Sequence, residues 1–388
     1  MKPRLLYIGS APYDNMYVGA KELHRHFIER KDFDFHAIVE PDRSAIHYLL
    51  TNSSTWNRLV KRASNTRLFP QFVALNYMVC ARRQMKAITK QAKQFQPQAI
   101  VTVAYGGYSF LAAKVAQQLR LPLFTFFHDW WPDLTPCRGI GKRILDLQFR
   151  NLQRKSTVSL CVCDAMKAEL GSHENTRLLY PIPAVRDSQT PTAALPAQHP
   201  FRLVYLGTLQ GKYGDLLQTL AAHFIQNPNN ALELKFYGRA TDWPAPKLLA
   251  AQSAGIYQGT PTVREAAIAL AEADAFLVVM NFDEADRRRV RTSFPSKILE
   301  YCSYAKPIVA WGPEDCSAVS FVRSYRIGSA ITQTTPTDVV KATNELATNP
   351  ARCLELGRSA LGLSQTIFAP EEIHGQLLRY ISPLLKSR

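Results

Sequence analysis

One stretch of the sequence, RTSFPSKILEYCSYAKPIV at positions 291–309, combines residue types that could hold a negatively charged ligand. Pro295 is typical of a first helical turn, where the missing N–H is not needed. The free N–H groups of such a turn, the hydroxyl of Ser296 and the ammonium of Lys297 all suit phosphate. Glu300, one turn later, could accept hydrogen bonds from the hydroxyls of a ribose. An ordinary helix with a buried apolar face would show the same spacing, so both interpretations stay open at this point.

The elements around this stretch alternate between short apolar runs and amphipathic helical segments in both halves of the chain. Unbroken apolar runs separated by helices indicate parallel sheets covered on both faces. We therefore predict an α/β fold of two doubly wound Rossmann-like domains facing each other across a cleft. The predicted limits are an N-terminal Rossmann-like domain over 1–182, a proline-rich linker over 183–200, a C-terminal Rossmann-like domain over 201–369, and C-terminal helices over 370–388 that cross back to the first domain.

Ligands of such sheets bind beyond the carboxyl ends of the strands. In the first domain, His128 and Asp129 directly follow the apolar run PLFTFF. A lone histidine is more often structural, but the strand-end position favours a role at a ligand. The next two residues, Trp130 and Trp131, could stack on a sugar or lipid, or could form a buried aromatic pair.

The string FPSKILEYCSYAKPIVAWG resembles the signature of retaining glycosyltransferases of the GT-B architecture, family four, in particular bacterial members that act on surface polysaccharides. In that family two glutamates usually stand eight positions apart. The second matches Glu300. The first position is Thr292 here, where the family has a glutamate that contacts the transferred sugar.

The resemblance extends to YLGTLQGKYGD, whose glycine-rich turn approaches the nucleotide diphosphate in relatives, and to FYG at 236–238 near the base. The first loop, GSAPYDNMYVGAKEL, resembles the glycine-containing loop of the family that faces the cleft. The residues that the resemblance implies are His128 and Lys297 as catalytic residues, Gly207, Lys212, Gly238, Thr292, Ser293, Phe294, Pro295, Ser296 and Glu300 at the donor, and Gly9, Gly19 and Asp129 in the acceptor or cleft loops.

The reaction that the resemblance implies is hexosyl transfer from a nucleotide-diphosphate sugar to a hydroxyl acceptor, with retention at the anomeric carbon. A UDP-sugar is the favoured donor, and a lipid-linked saccharide or another cell-surface glycan precursor is the expected acceptor. The resemblance implies that the domain over 1–182 binds the acceptor and that the domain over 201–369 binds the nucleotide sugar. Donors fixed where charge develops on the leaving diphosphate would stand in for a metal, and the sequence has no D-x-D motif near a strand end, so no metal and no cofactor are expected. The alternatives are a sugar-nucleotide epimerase or a phosphorolytic enzyme of the same fold, and a non-catalytic basic protein that binds a polyanion.

The net charge of +16 is unevenly distributed. Residues 1–190 hold 27 Lys and Arg against 14 Asp and Glu, a net +13, whereas residues 191–388 hold 20 against 17, a net +3. No carboxylate occurs between Asp42 and Asp129, which favours contact with a polyanion or an anionic membrane, although chance in a basic protein is the alternative. No nucleic-acid-binding module is visible and no apolar run is long enough to span a bilayer, so we expect a cytoplasmic protein, peripheral at the inner face of the cell membrane, that binds no nucleic acid. The basic residues assigned to the membrane surface are Arg58, Lys61, Arg62, Arg82, Arg83 and Lys86.

Overall fold

The computed structural model describes residues 2–10, 18–40, 69–183 and 200–385. The chain divides into two compact units, one formed by Met1–Ile182 together with Ile373–Arg388 and the other by Pro183–Glu372. The last helix of the chain therefore ends within the unit that contains the N-terminus.

The first unit is built on a sheet of six parallel strands in the order β2-β1-β3-β4-β5-β6. Four of these strands, β1, β3, β4 and β5, are almost wholly buried, which explains their unbroken apolar sequences. The strands are β1 (Arg4–Gly9), β2 (Asp34–Val39), β3 (Ala99–Val103), β4 (Leu123–Phe127), β5 (Val158–Cys161) and β6 (Thr176–Leu178). The helices of this part of the chain are α1 (Val18–His24) with a π-turn over Arg25–Glu29, α2 (Phe69–Phe95), α3 (Gly106–Leu119), a 3-10 turn over Trp131–Leu134, α4 (Gly139–Lys155) and α5 (Asp164–Leu170).

The second unit contains five parallel strands in the order β11-β10-β9-β7-β8. The strands are β7 (Phe201–Leu206), β8 (Leu232–Tyr237), β9 (Ala275–Val279), β10 (Ile308–Trp311) and β11 (Gly328–Ile331). The helices are α6 (Gly211–Gln226), α7 (Ala245–Ser253), α8 (Val263–Ala271), α9 (Arg287–Thr292), α10 (Lys297–Cys302), α11 (Ser317–Tyr325), α12 (Pro336–Ala347) and α13 (Pro350–Gln365), and a 3-10 turn covers Glu284–Asp286. The last helix, α14 (Pro370–Ile381), and the 3-10 turn over Ser382–Leu384 belong to the first unit from Ile373 onward.

Both sheets reverse their strand order next to their first strand. β1 lies between β2 and β3, and β7 lies between β8 and β9. The doubly wound α/β architecture that the sequence predicts is thus confirmed for each unit. Because open parallel sheets bind ligands at the carboxyl ends of strands beside such a reversal, the loops after β7 and β9 and those after β1 and β3 are the positions where binding residues are expected.

Within the first unit, helix α14 packs through the buried His374. His374 Nε2 lies 2.8 Å from the Asp32 carboxylate, and His374 Nδ1 lies 3.0 Å from His26 Nδ1. His26 is fully buried, and this burial, with the nearby charges of His374 and Arg30, holds its pKa well below the usual 6.5. His26 is therefore neutral in the folded protein at neutral pH.

Acid is expected to destabilise the first unit through His26. An unfolded chain binds a proton at this residue below about pH 6.5, whereas the folded chain resists protonation, so stability is complete above pH 6.5 and falls as the pH drops towards the lower folded pKa. The loss reaches at most about 1.4 kcal/mol per pH unit for one proton. His26→Asn, which keeps a polar atom near the Nδ1 position but does not titrate, should reduce this slope. The free energy of unfolding is measured by urea denaturation at pH 7.5 and 5.5, with amide exchange in β1 and β4 as the probe of the first unit. An equal pH dependence of this free energy in the wild type and in His26→Asn would contradict the assignment.

Candidate functional site

The stretch singled out in the sequence lies at the strand reversal of the second unit. It follows β9 and contains α10, whose tyrosine Tyr301 exchanges two hydrogen bonds with the backbone at the end of β7: the N–H of Leu206 donates to the hydroxyl at 3.1 Å, and the hydroxyl donates to the Leu206 carbonyl at 3.3 Å. The ring of Tyr301 also stacks on Phe276 of β9, with centroids 4.3 Å apart. Two adjacent strands therefore fix the position of α10.

Lys297 is the first residue of α10, and its ammonium lies 3.9 Å from the ring centroid of Tyr205, in the geometry of a cation–π contact. No carboxylate or carbonyl in the described part of the chain forms an ion pair or hydrogen bond with it. Burial lowers the pKa of Lys297 from 10.5 to about 7, and the nearby charge of Glu300 only partly opposes this shift. The side chain keeps some exposure to solvent. This positive group is thus under-compensated and accessible, as an anion-binding group should be.

Two glycines permit close approaches beside this ammonium: Gly207 approaches the ammonium itself, and Gly238 approaches the backbone of Gly207. A Cβ atom on Gly207, the residue after β7, would lie 2.0 Å from Lys297 Nζ. A Cβ atom on Gly238, the residue after β8, would lie 1.7 Å from the carbonyl oxygen of Gly207. Both positions match the glycines predicted from the sequence, and the close approach gives the physical reason why a side chain is excluded there.

Tyr205 and Tyr301 are absent from the sequence-based prediction although both organise this site. The hydroxyl of Tyr205 donates to the carbonyl of Thr208 at 2.7 Å, which fixes the turn after β7. A tyrosine inside a buried strand needs a partner for its hydroxyl, and this requirement is the signal that could have identified Tyr205 before Gly207.

Lys212, the second predicted phosphate ligand, has a different environment. Near the start of α6, its ammonium forms ion pairs with Asp283 and with Asp286, the latter at 2.8 Å. Asp286 is also 3.1 Å from Arg289. The charge of Lys212 is therefore already balanced by carboxylates of the loop after β9, and about half of its side chain is exposed.

Several residues before α10 are used for packing. Thr292, which replaces the family's first glutamate, is completely buried and donates its hydroxyl to the carbonyl of Arg288 at 2.9 Å. Phe294 is buried against Phe321, with ring centroids 5.1 Å apart. The carbonyl of Ser293 accepts a hydrogen bond from the Ser317 hydroxyl. In this structure these three residues stabilise the segment before α10, and the side chains of Thr292 and Phe294 are not available to a ligand.

The helix predicted to begin near Pro295 is shorter than a strong dipole would require. It begins at Lys297, two residues after the proline, and has six residues. The carbonyls of Pro295 and Ser296 already accept from the N–H groups of Ile298 and Leu299. Since the macrodipole depends on aligned peptide units, the charge of Lys297 is a better-supported anion-binding feature than the helix start. Glu300 is exposed on the first turn of the helix.

In the first unit, His128 follows β4, as expected, and its Nε2 lies 2.6 Å from a carboxylate oxygen of Glu22 on α1. Burial alone would lower the pKa of His128, but the charges of Glu22 and Asp129 outweigh it and raise the pKa above 6.5. Asp129 itself is exposed. Glu22 was not predicted, because nothing in the spacing of the sequence connects it with His128.

The two tryptophans after Asp129 are a buried pair, which was one of the two alternatives. Trp130 is fully buried and donates its indole N–H to Asp146 at 2.8 Å. Trp131 is 3% exposed and packs edge-on against Tyr77 and Phe110. Neither ring presents a face to a sugar.

Gly9 is the last residue of β1 and Gly19 is the second residue of α1; most of the loop between them lies outside the described residues. Another glycine, Gly106, is the first residue of α3 and lies at the strand reversal of this sheet, close to the residue after β1. It has a φ of +71°, and a Cβ atom there would lie 2.1 Å from the Ser10 hydroxyl. The adjacent glycines of AYGG after β3 were the sequence signal for this close approach.

The predicted membrane surface is described only in part. Arg58, Lys61 and Arg62 lie outside the described residues, and Arg82 and Arg83 are described only as backbone positions of α2. Lys86 is exposed on the same helix. Together with Lys90 and Lys93, it lines an open surface groove of about 710 Å³.

None of the described helices is both long and apolar enough to cross a membrane. No group of three or more His, Cys, Asp or Glu side chains in the described ranges is arranged to hold a metal ion.

Solved structures share this architecture along almost the whole chain. HepE from Anabaena, solved in complex with UDP-glucose, has a TM-score of 0.64 at 13% identity, with 98% of this chain and 99% of HepE covered. A glycosyltransferase from Rickettsia africae gives 0.62 at 11% identity over the full length of both chains. The apo form of WaaB, a lipopolysaccharide outer core galactosyltransferase, gives 0.60 at 13% identity, covering 98% of this chain and 99% of WaaB. This chain has the GT-B fold of these glycosyltransferases.

The similarity is one of fold. No protein-family model matches the sequence, and no curated protein matches it. At identities of 11–13% a shared fold does not establish shared substrates. The function of this chain must therefore be inferred from its own residues.

Proposed function

We propose that this protein transfers a sugar from a nucleotide-diphosphate donor to a hydroxyl acceptor. The observation that carries the proposal is the under-compensated ammonium of Lys297 beside Gly207, at the strand reversal of a GT-B fold. A diphosphate at this place would supply the negative charge that the described residues around Lys297 do not. The UDP-glucose bound by HepE makes a UDP-sugar the first donor to test.

Charge stabilisation is the chemical task of this site. When the bond between the anomeric carbon and the diphosphate breaks, negative charge grows on the phosphate oxygens, and a fixed ammonium stabilises that charge more in the transition state than in the substrate. Lys297 can do this only when protonated. Glu300, exposed one turn further along α10, would accept hydrogen bonds from the ribose.

The finer parts of the proposal come from the resemblance of FPSKILEYCSYAKPIVAWG to the retaining family-four enzymes. They are hexosyl transfer with retention, a lipid-linked saccharide or related glycan precursor as acceptor, and no requirement for a metal. Thr292 is buried, so the contact that a glutamate makes with the sugar in that family must come from another residue or be missing here.

A thermal-shift screen across nucleotide sugars tests the proposed function. A ligand that binds only the folded state stabilises it by about 2.7 kcal/mol at a concentration 100 times its Kd, so the correct donor should raise the melting temperature and UDP alone should do so in part. Product analysis with that donor but without acceptor separates the alternatives, because conversion to an isomeric nucleotide sugar would identify an epimerase. A failure of all nucleotide diphosphates to shift the melting temperature would contradict the proposal.

We also propose that α2 contacts an anionic membrane at the inner face of the cell membrane. Lys86, Lys90 and Lys93 are exposed and recur at helical spacing, so their ammonium groups share one face of α2. A lipid-linked acceptor would be reached from such a surface. Each basic residue near an anionic bilayer contributes about 1 kcal/mol to binding.

Reversing these three charges to Glu should lower the affinity for vesicles containing phosphatidylserine by about 100-fold or more. Binding is measured by co-sedimentation at low and physiological salt, since electrostatic attraction is screened by ions. The matched control reverses Lys247, Arg264 and Lys341 of the second unit, which are also exposed. Equal sedimentation of the two triple variants would remove α2 from the proposed membrane surface.

A further inference from the structure

A carboxylate and a histidine form a nearly buried pair at the carboxyl edge of the first unit's sheet. His128 stands directly after β4, and Glu22 is contributed by α1, the helix that follows β1. The distance between His128 Nε2 and Glu22 Oε2 is 2.6 Å, and the side chains are only 17% and 5% exposed. A carboxylate at this depth is rare unless it is paired with a positive charge, so the pair requires a protonated imidazole.

The other titratable groups around His128 reinforce this charge state. Asp129, on the same loop, adds a second negative charge. His26, on the turn after α1, stays neutral because its burial, together with His374 on α14 and the arginines Arg25 and Arg30, disfavours its protonation. Consequently the pKa of His128 is raised although burial acts in the opposite direction. His128 carries its proton to a higher pH than an ordinary histidine does.

Both members of the pair have unused hydrogen-bonding capacity. The second carboxylate oxygen of Glu22, Oε1, is buried and has no hydrogen-bond partner in the part of the chain that the structure describes. The second ring nitrogen of His128, Nδ1, has no hydrogen-bond partner among the described residues, and the buried Nε2 approaches Glu22 as a close ion pair without hydrogen-bond alignment. Since buried polar atoms are normally satisfied, the unsatisfied Oε1 of Glu22 indicates that a further polar group lies beside the pair.

We propose that Glu22 is a positioning residue that keeps His128 protonated and orients its ring, so that Nδ1–H donates to an oxygen of the bound substrate. Glu22 neutralises the imidazolium, so the buried histidine can present a charge-assisted donor near neutral pH. The substrate oxygen is a hydroxyl of the sugar, which accepts from this N–H. This inference rests on the proposed glycosyl transfer for its functional part, while the state of the His128–Glu22 pair can be measured without any activity.

NMR titration of the histidine side chains tests the pair directly. The midpoint of His128, assigned by comparison with His128→Gln, should fall by about one pH unit or more in Glu22→Gln, which removes the charge but keeps the shape. Glu22→Asp should give an intermediate midpoint and serves as the second variant if the glutamine protein folds poorly. The control is Glu29→Gln, because Glu29 pairs with the part-exposed His24 at 3.1 Å and should leave His128 unchanged. An unchanged His128 midpoint in both Glu22 variants would overturn the proposal.

The pH profile of sugar transfer tests the functional part. A protonated His128 is the active form, so the wild-type rate should fall as the pH rises through the raised midpoint, and Glu22→Gln should lose activity at a lower pH by the same interval seen by NMR. UDP affinity, measured separately by calorimetry, should not change. A uniform loss of rate at every pH would show a merely structural role and overturn the proposal. If the wild-type protein bound no nucleotide diphosphate, the proposed function would fail while the NMR result still decided the pairing.

Discussion

Lys297→Met is expected to weaken the binding of UDP by about 10- to 100-fold at pH 7 without unfolding the protein. The methionine keeps an unbranched apolar stem against Tyr205 but removes the ammonium, and a hydrogen bond to a charged group contributes about 1.5–3 kcal/mol. Titration calorimetry with UDP measures the loss. Because the ammonium is under-compensated in the free protein, its removal should leave the melting temperature unchanged or raise it.

The matched control is Lys212→Met, in the same unit. This ammonium is already paired with Asp283 and Asp286 and is about half exposed, and exposed ion pairs contribute about 0–1 kcal/mol. UDP affinity should therefore change by no more than about fivefold. A larger loss of UDP affinity in Lys212→Met than in Lys297→Met would indicate that the diphosphate binds at the start of α6 and would contradict the assignment.

The affinity for UDP is expected to depend on pH because of Lys297. With the pKa of Lys297 lowered to about 7, part of the free protein has lost this charge at pH 7, and most of it has at pH 8. The protonated form binds the diphosphate, so affinity should decrease as the pH rises above 7, at most by about tenfold per pH unit. Binding above pH 7 should also take up a proton from the buffer. Lys297→Met should abolish both effects, and a flat profile in the wild-type protein would contradict the under-compensated ammonium.

The fold could be predicted from the sequence because its signal is local. Strands such as AFLVV (β9) and IVAW (β10) are completely buried, so every residue of each is apolar or small and the pattern is readable without a structure. Their parallel pairing follows from the helices between them. The carboxyl-end rule then placed Gly207 and His128 directly after strands, and the structure has them after β7 and β4, whereas Lys297 begins α10 within the connection from β9 to β10.

The site itself could be predicted only in part because its contacts are distant in sequence. Tyr205 and Lys297 are 92 positions apart, and their contact depends on the pairing of β7 with β9. Lys212 looked like a phosphate ligand because nothing local shows that it pairs with Asp283, 71 positions away. Glu22 is as remote from His128. Periodicity reports which face of an element is buried, but it does not report which charged groups meet across a sheet edge.

The short length of the helix after Pro295 could not be predicted for a different reason. The stretch after Pro295 has the residue types of a helix, but the chain uses only six of them, Lys297–Cys302, before Ala305 adopts a φ of +57° and the chain turns into β10. Packing of Tyr301 against β7 and β9 replaces the length that an isolated helix would need. This tertiary support is not visible in the sequence of the helix.

Gly238→Ala is expected to destabilise the second unit by about 3 kcal/mol or more, which corresponds to a melting temperature lower by about 6–12 °C for a unit of this size. Two costs combine. Gly238 has a φ of +138°, which side-chain-bearing residues rarely adopt, and the added Cβ would overlap the carbonyl oxygen of Gly207 at 1.7 Å. Since that carbonyl belongs to the turn beside Lys297, UDP affinity should fall as well. Differential scanning calorimetry and UDP titration measure the two effects.

Two other glycines separate these costs. Gly259 has a φ of +82° with nothing within 4 Å of an added Cβ, so Gly259→Ala incurs the conformational cost alone, about 1–2 kcal/mol. Gly362, inside α13, has neither problem, so alanine there should stabilise the protein by about 0.5–1 kcal/mol. The expected order of melting temperatures is Gly362→Ala, wild type, Gly259→Ala and then Gly238→Ala, and only the last variant should lose UDP affinity. If Gly238→Ala melted with Gly259→Ala and bound UDP normally, the turn after β7 would be free to move away from β8, and the close approach of Gly207 and Gly238 could not be what shapes the space around Lys297.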